Sequence, residues 1–102
     1  MFAMAEVLSM RWAGVTPEQY DATRVAVGWE ERAPEGALMH VAWFEPGALR
    51  VVDVWTSRAA FEQFFTERLA AAVREAGITG EPETEFLPLH RRFIAPGVTG
   101  AA

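Results

Sequence analysis

From Glu6 to Trp12 the chain alternates. Leu8, Met10 and Trp12 fall on one side, and Val7, Ser9 and Arg11 on the other. A period of two predicts a β-strand, and Gly14 ends it. Thr16-Pro17-Glu18-Gln19 reads as a helix start, with Thr as N-cap, Pro at the first helical position and Gln at the third to close a capping box. That helix is expected to run to about Val27 and stop at Gly28. Its apolar positions scatter: Tyr20 and Val27 lie on one side, while Ala22, Val25, Ala26 and Trp29 spread around another. It should therefore be the less firmly packed of two helices.

After the polar run EERAPEG come two apolar segments, LMHVAWF and LRVVDVW, joined by Glu45-Pro46-Gly47-Ala48. Proline presets φ at the first central position of a turn and glycine accepts positive φ at the second, which is type II turn chemistry. A hairpin over residues 38–44 and 49–55 follows. If Glu45 faces Ala48, then Phe44 meets Leu49, Val41 meets Val52 and His40 meets Asp53. A one-residue bulge would break this alignment. Ser57 caps a second helix, predicted from about Arg58 to Ala76. Its stripe of Phe61, Phe64, Phe65, Leu69, Ala72, Val73 and Ala76 has helical spacing, and Glu62, Glu67, Arg74 and Glu75 keep largely to the other side. Gly77 is its natural terminator. Thr84 to Leu89 can form a last strand, with Pro88 marking an edge or a strand end.

The order β-α-β-β-α-β implies an α+β, ferredoxin-like antiparallel sheet with both helices on one face. Both faces of the hairpin are apolar. Met39, Val41, Trp43, Val52 and Val54 line one, and Leu38, Ala42, Phe44, Val51 and Trp55 the other. Helices can cover only one of them, so a homodimer that packs sheet against sheet is expected. The domain should span residues 5–94, between a disordered N-terminus (1–4) and a flexible C-terminal tail (95–102) rich in small residues, Pro and Gly. Met4 can serve as an alternative start.

Composition narrows the function classes. With 102 residues there is room for one domain, and 51% hydrophobic content supports a small core. A net charge of −5 and a pI near 4.9 argue against nucleic acid as partner. The chain has no cysteine, hence no disulfide and no thiolate metal site. The N-terminus lacks a basic region and a long apolar core, and no stretch is long enough to span a membrane, so a cytoplasmic protein is the expectation. There is no phosphate-cradling glycine loop, no serine elbow and no zinc-binding HExxH.

The stretch VVDVWTSRAAFEQFFTERL resembles the dimeric α/β-barrel superfamily, in particular the small antibiotic-biosynthesis-monooxygenase-like proteins. There, a strand ends in Trp-x-Ser and a Phe-x-x-Phe helix follows. The element order extends the likeness over residues 5 to 93. The resemblance implies a dimer with its sheets face to face and a pocket in each subunit between sheet and helices. The superfamily includes cofactor-independent monooxygenases, haem-degrading enzymes, lactone isomerases, polyketide cyclases and members without known activity. Its cofactor-independent monooxygenases set Trp, Tyr, Asn and Arg around a phenolic substrate, and its haem degraders depend on Asn, Trp and His. This chain contains no asparagine, so neither set is complete here.

The candidate catalytic pair is therefore its own. In the two-residue hairpin His40 and Asp53 occupy a non-hydrogen-bonded pair, where side chains come closest. Asp53 could orient one imidazole nitrogen and leave the other as a general base. Taken as structure alone, the same contact is a cross-strand pair worth about 0.2–1 kcal/mol. Candidate substrate contacts are Trp55, Tyr20, Phe61, Phe65 and His90. Trp12, Trp29, Trp43 and Trp55 together with Tyr20 could supply an aromatic wall for a planar ligand. His90 with His40 and Asp53 has the composition of a two-His, one-carboxylate site, but it is expected to face solvent beside Arg91 and Arg92, and neither a metal nor another cofactor is expected. Two readings remain open: an enzyme that oxygenates, cyclises or isomerises an aromatic or polyketide-like small molecule, and a non-catalytic ligand-binding or structural dimer.

Overall fold

The structure, a computed structural model, describes residues 4–102. Of the N-terminal segment expected to be disordered, residues 1–3 lie outside the described residues, and Met4 is exposed and irregular. The elements are β1 (Glu6–Ala13), α1 (Pro17–Val27), β2 (Ala37–Glu45), β3 (Ala48–Trp55), α2 (Arg58–Phe64), a π-helical turn (Phe65–Leu69), α3 (Ala70–Glu75) and β4 (Glu83–Pro88). All strand pairs are antiparallel and the sheet order is β2-β3-β1-β4. This is the ferredoxin-like arrangement expected from the element order. Beyond Pro88 the chain forms no helix or strand. Among the described residues no helix is long and apolar enough to cross a membrane.

Local chemistry fixes the elements. Thr16 accepts from the Gln19 amide and the Gln19 side chain accepts from Thr16 N–H, so the capping box closes. At the other end of α1, Gly28 takes φ 64°, and the amides of Gly28 and Trp29 return to the carbonyls of Val25 and Arg24. That is a Schellman motif, and only a residue without Cβ enters the left-handed region at no cost. It turns the chain sharply and delivers Trp29 back over the sheet. Gly47, at φ 80°, makes the hairpin turn as predicted. Glu45 faces Ala48, and every pair back to His40–Asp53 is in step. One irregularity does occur in β2, between Ala37 and Met39. It lies beyond the His40–Asp53 pair, so the register counted from the turn survives. Leu38 is the surplus residue there and is largely exposed.

The core lies between the sheet and the helices. Leu8, Met10 and Trp12 of β1, and Leu49, Val51 and Trp55 of β3, meet Val27, Phe61, Phe64 and Ala72. The opposite face carries Val41 and Trp43, both exposed, and a charged end where Glu45 pairs with Arg50 at 3.2 Å and Arg11 at 3.6 Å.

The second helix is not the continuous rod that its spacing predicts. Ala70 N–H bonds to Phe65 O, five residues back, and the π turn inserts one extra residue into the ladder. The phase shifts beyond it; Phe65, whose own N–H still bonds Phe61 O, precedes the insertion. Phe61 and Phe64 are buried, whereas Phe65, expected in the same stripe, is 36% exposed. The turn also presents Arg68 to backbone carbonyls. Its guanidinium donates to Val27 O at the end of α1 and to Arg32 O at 2.8 Å, and lies over the Phe64 ring. A cation on the carbonyl end of a helix answers both its dipole and its unpaired acceptors. Burial pushes the Arg68 pKa down, and Arg32 nearby adds to the effect.

Phe64→Ala should lower stability by about 3–5 kcal/mol, as expected for a buried aromatic. Phe65→Ala should cost clearly less, and Glu67→Ala should stay within about 0.5 kcal/mol of the parent. Urea midpoints in that order are the expected result. Equal midpoints for the Phe64 and Glu67 variants would mean that the helix phase is wrong.

Candidate functional site

Asp53 is the buried charge of the sheet, at 4% exposure on a central strand. Each of its oxygens has a partner. Oδ1 lies 2.6 Å from His40 Nδ1 across the hairpin. Oδ2 accepts from the indole N–H of Trp55 at 3.1 Å, two residues along the same strand face. A carboxylate can only accept, so the imidazole proton sits on Nδ1 when the ring is neutral, and Nε2 is left as an acceptor. That acceptor is occupied: Tyr20 Oη stands 2.6 Å from His40 Nε2. The two rings are close to coplanar in orientation, 4° apart with centroids at 6.0 Å. Tyr20 O–H therefore donates to His40, and His40 N–H donates to Asp53. One hydrogen-bonded chain, Tyr20–His40–Asp53–Trp55, links α1, β2 and β3.

This chain borders a cavity of about 90 Å³ between sheet and helices. Tyr20, His40 and Asp53 line it, with Thr23 and Arg24 as its other polar neighbours, and the remaining wall is apolar. The Schellman turn places Trp29 in that wall, 4.8 Å from the His40 ring centroid and edge-on to Trp55 and Phe64. Phe61 lines it from α2. Burial raises the Tyr20 pKa above its ordinary 10.0; Arg24 opposes the shift, while Asp53, Glu30 and Asp21 add to it. Arg24 is itself held by Glu30 at 3.1 Å and Asp21 at 3.7 Å.

The structure brings together His40, Asp53, Tyr20 and Phe61, as the sequence reading grouped them. It separates the other three expected substrate contacts from the cavity. Trp55 is fully buried and acts behind Asp53 as a hydrogen-bond donor, with no surface left for a ligand. Phe65 is turned outward at the start of the π turn, against Phe61. His90 lies past the end of β4 and is exposed, so strand parity no longer directs it. Glu81, Glu83 and Glu85 are exposed, as expected of a solvated loop and edge. Trp29, one of the rings that could form an aromatic wall, follows a C-terminal glycine, the position that folds back over its own helix. One contact has no sign in the sequence. The Tyr20–His40 contact joins elements 20 residues apart in the chain, and no local spacing announces it.

No protein-family model and no curated protein matches the chain. Solved structures do. A protein of unknown function from Nitrosomonas europaea, NE2512, aligns over 95% of this chain and 100% of its own length, with TM-score 0.67 and 18% identity. A variant of SnoaB, a cofactor-independent oxygenase from Streptomyces nogalater, aligns over 88% of this chain and 97% of its own, with TM-score 0.65 and 14% identity. The ActVA-Orf6 monooxygenase of Streptomyces coelicolor, solved with the ligand nanaomycin D, aligns over 93% and 95%, with TM-score 0.58 and 23% identity. At these identities the likeness is one of fold. The chain has the ferredoxin-like fold of antibiotic-biosynthesis-monooxygenase-like proteins.

Tyr20 is the only tyrosine of the chain, so phenolate absorbance reports it alone. It should titrate above the ordinary tyrosine value of 10.0. The linked effect on stability has a definite sign. Below that value the phenol is protonated in folded and unfolded chains alike, and its stabilising contribution is complete. As pH rises further the unfolded chain ionises first, and the contribution is lost through the higher folded pKa. The parent should therefore lose melting temperature with alkali more steeply than Tyr20→Phe. Parallel curves would contradict the buried, hydrogen-bonded phenol.

Proposed function

We propose that the protein is a small dimeric enzyme that deprotonates a phenolic or enolic small molecule, the first step of an oxygenation, cyclisation or isomerisation carried out without a bound cofactor. The observation that carries this reading is the open cavity against the His40–Asp53 pair. Had Phe and Trp side chains filled that space, a purely structural pair would be the simpler account. Asp53 fixes the ring tautomer and offsets the charge of the imidazolium, so a proton taken from a ligand can rest on His40 Nε2. The apolar wall raises the effective strength of these interactions. Oxygenation is the branch favoured by the fold neighbours that are described as oxygenases. An electron-rich phenolate or enolate can pass an electron to dioxygen, which supplies the oxidant.

The test is a panel of phenolic and enolic polyketide-like compounds under air, followed by oxygen uptake and product analysis. Turnover is expected in the parent. His40→Gln should reduce it by about two to four orders of magnitude, the range for loss of general base catalysis. Asp53→Asn should also reduce it, through the disoriented imidazole. Ligands that bind without turnover, and equally well to the His40 variant, would favour the non-catalytic binding dimer.

Homodimerisation through the uncovered sheet face is part of this proposal. Val41 and Trp43 on that face, with Leu87 at the β4 edge, are 47%, 43% and 52% exposed, which is much apolar surface for one small chain. Light scattering at micromolar concentration should give a mass of twice 11.3 kDa. Trp43→Glu should shift it toward one chain. A parent that scatters only as one chain would remove the dimer from the proposal.

A further inference from the structure

Resting on that reading, we infer that Tyr20 is the catalytic residue that touches the substrate, and that His40 receives the substrate proton through it rather than directly. The geometry leaves little choice. The only imidazole nitrogen not committed to Asp53 is already engaged by Tyr20 Oη at 2.6 Å. A ligand hydroxyl cannot reach that nitrogen unless Tyr20 moves away. Tyr20 Oη, by contrast, spends its one proton on His40, and among the described residues no protein donor engages its lone pairs. It lines the cavity and offers an acceptor to whatever enters.

The step then balances without a further reagent. The substrate O–H bond breaks as its proton passes to Tyr20 Oη. The Tyr20 proton passes to His40 Nε2 in the same movement. The products are a substrate oxyanion, an unchanged Tyr20 phenol and an imidazolium held by the Asp53 carboxylate. The phenol carries the proton and is never left as a phenolate. Its burial agrees with that role, since burial disfavours the ionised tyrosine. The charged groups that bear on Tyr20 are Asp53 from β3, Arg24 and Asp21 from α1, and Glu30 from the loop after it. Arg24 is the cation among them, and it lines the cavity where the oxyanion develops.

The cavity also limits what can enter. A space of about 90 Å³ is smaller than the roughly 150 Å³ of an engineered cavity that takes a benzene ring. The substrate is thus a compact phenol or enol, or a larger molecule that inserts one hydroxyl-bearing ring edge and leaves the rest outside.

The probe is p-nitrophenol, whose phenolate has its own visible band. Bound to the parent at a pH below its solution pKa, it should show that band. Tyr20→Phe should bind it with the fold and the His40–Asp53 pair intact, yet show about tenfold less phenolate, a rise of one unit or more in its apparent pKa. His40→Gln should show the same loss. If Tyr20→Phe keeps the parental band while His40→Gln loses it, the substrate meets His40 directly; the relay is then overturned and the acid–base function stands. If the parent does not bind the probe, or binds it with no band and no response to His40→Gln, the proposed function fails and the relay with it.

Discussion

The Asp53 carboxylate governs this structure. It sits on a central strand in apolar surroundings, where an unpaired charge would cost several kcal/mol. Its two oxygens must therefore be met, and two facts of the sequence meet them. The Pro-Gly turn sets the register that puts His40 opposite. Strand periodicity puts Trp55 on the same face, two residues on. The two N–H groups so supplied are charge-assisted donors, each worth about 1.5–3 kcal/mol. Once His40 gives Nδ1–H to Asp53, its other nitrogen must accept, and Tyr20 is the donor within reach. The orientation of Trp55, His40 and Tyr20 follows from that one buried charge.

The same period of two separates chemistry from association. His40 and Asp53 share the face covered by helices, and Val41 and Val52, their immediate neighbours, share the uncovered one. A one-residue slip would exchange the two sets, leaving the ionic pair on the bare face and valines in the cavity wall. The irregularity in β2 escapes this penalty because it falls at the far end of the strand, after the pair has formed.

Much of this was legible in the sequence because it is local. The capping box at Thr16, the glycine stops at Gly28 and Gly77 and the Glu45–Ala48 turn each act within a few residues, and the hairpin register propagates outward from the turn. The Phe61, Phe64, Phe65 stripe is wider than the strip of helix that the core covers, and Phe65 falls at its margin. A period of 3.6 also assumes an unbroken helical ladder, and the π turn adds a residue that no side-chain pattern records. Within that turn Arg68 reaches two backbone carbonyls. The sequence suggests a ligand contact at Trp55 because aromatic rings serve both walls and cores. Its fully buried position makes it part of the support behind Asp53. His90 lies beyond the strand whose parity suggested a shared site. The Tyr20–His40 contact depends on how α1 lies across β2, a tertiary fact without a short-range sign.

Tyr20 also does mechanical work. Helix α1 has a weak apolar stripe, with only Thr23 and Val27 buried, and its phenol is one of the side chains that moor it to the sheet. The oxygen available to a ligand is thus the oxygen that ties down the helix. A bound hydroxyl that engages this oxygen polarises the mooring bond, and one that displaces it sets α1 free at that point. Ligand affinity and helix docking then draw on a single hydrogen bond. Selection for a tighter grip on one is constrained by the other, and changes in α1 far from the cavity can alter how readily the site accepts its guest.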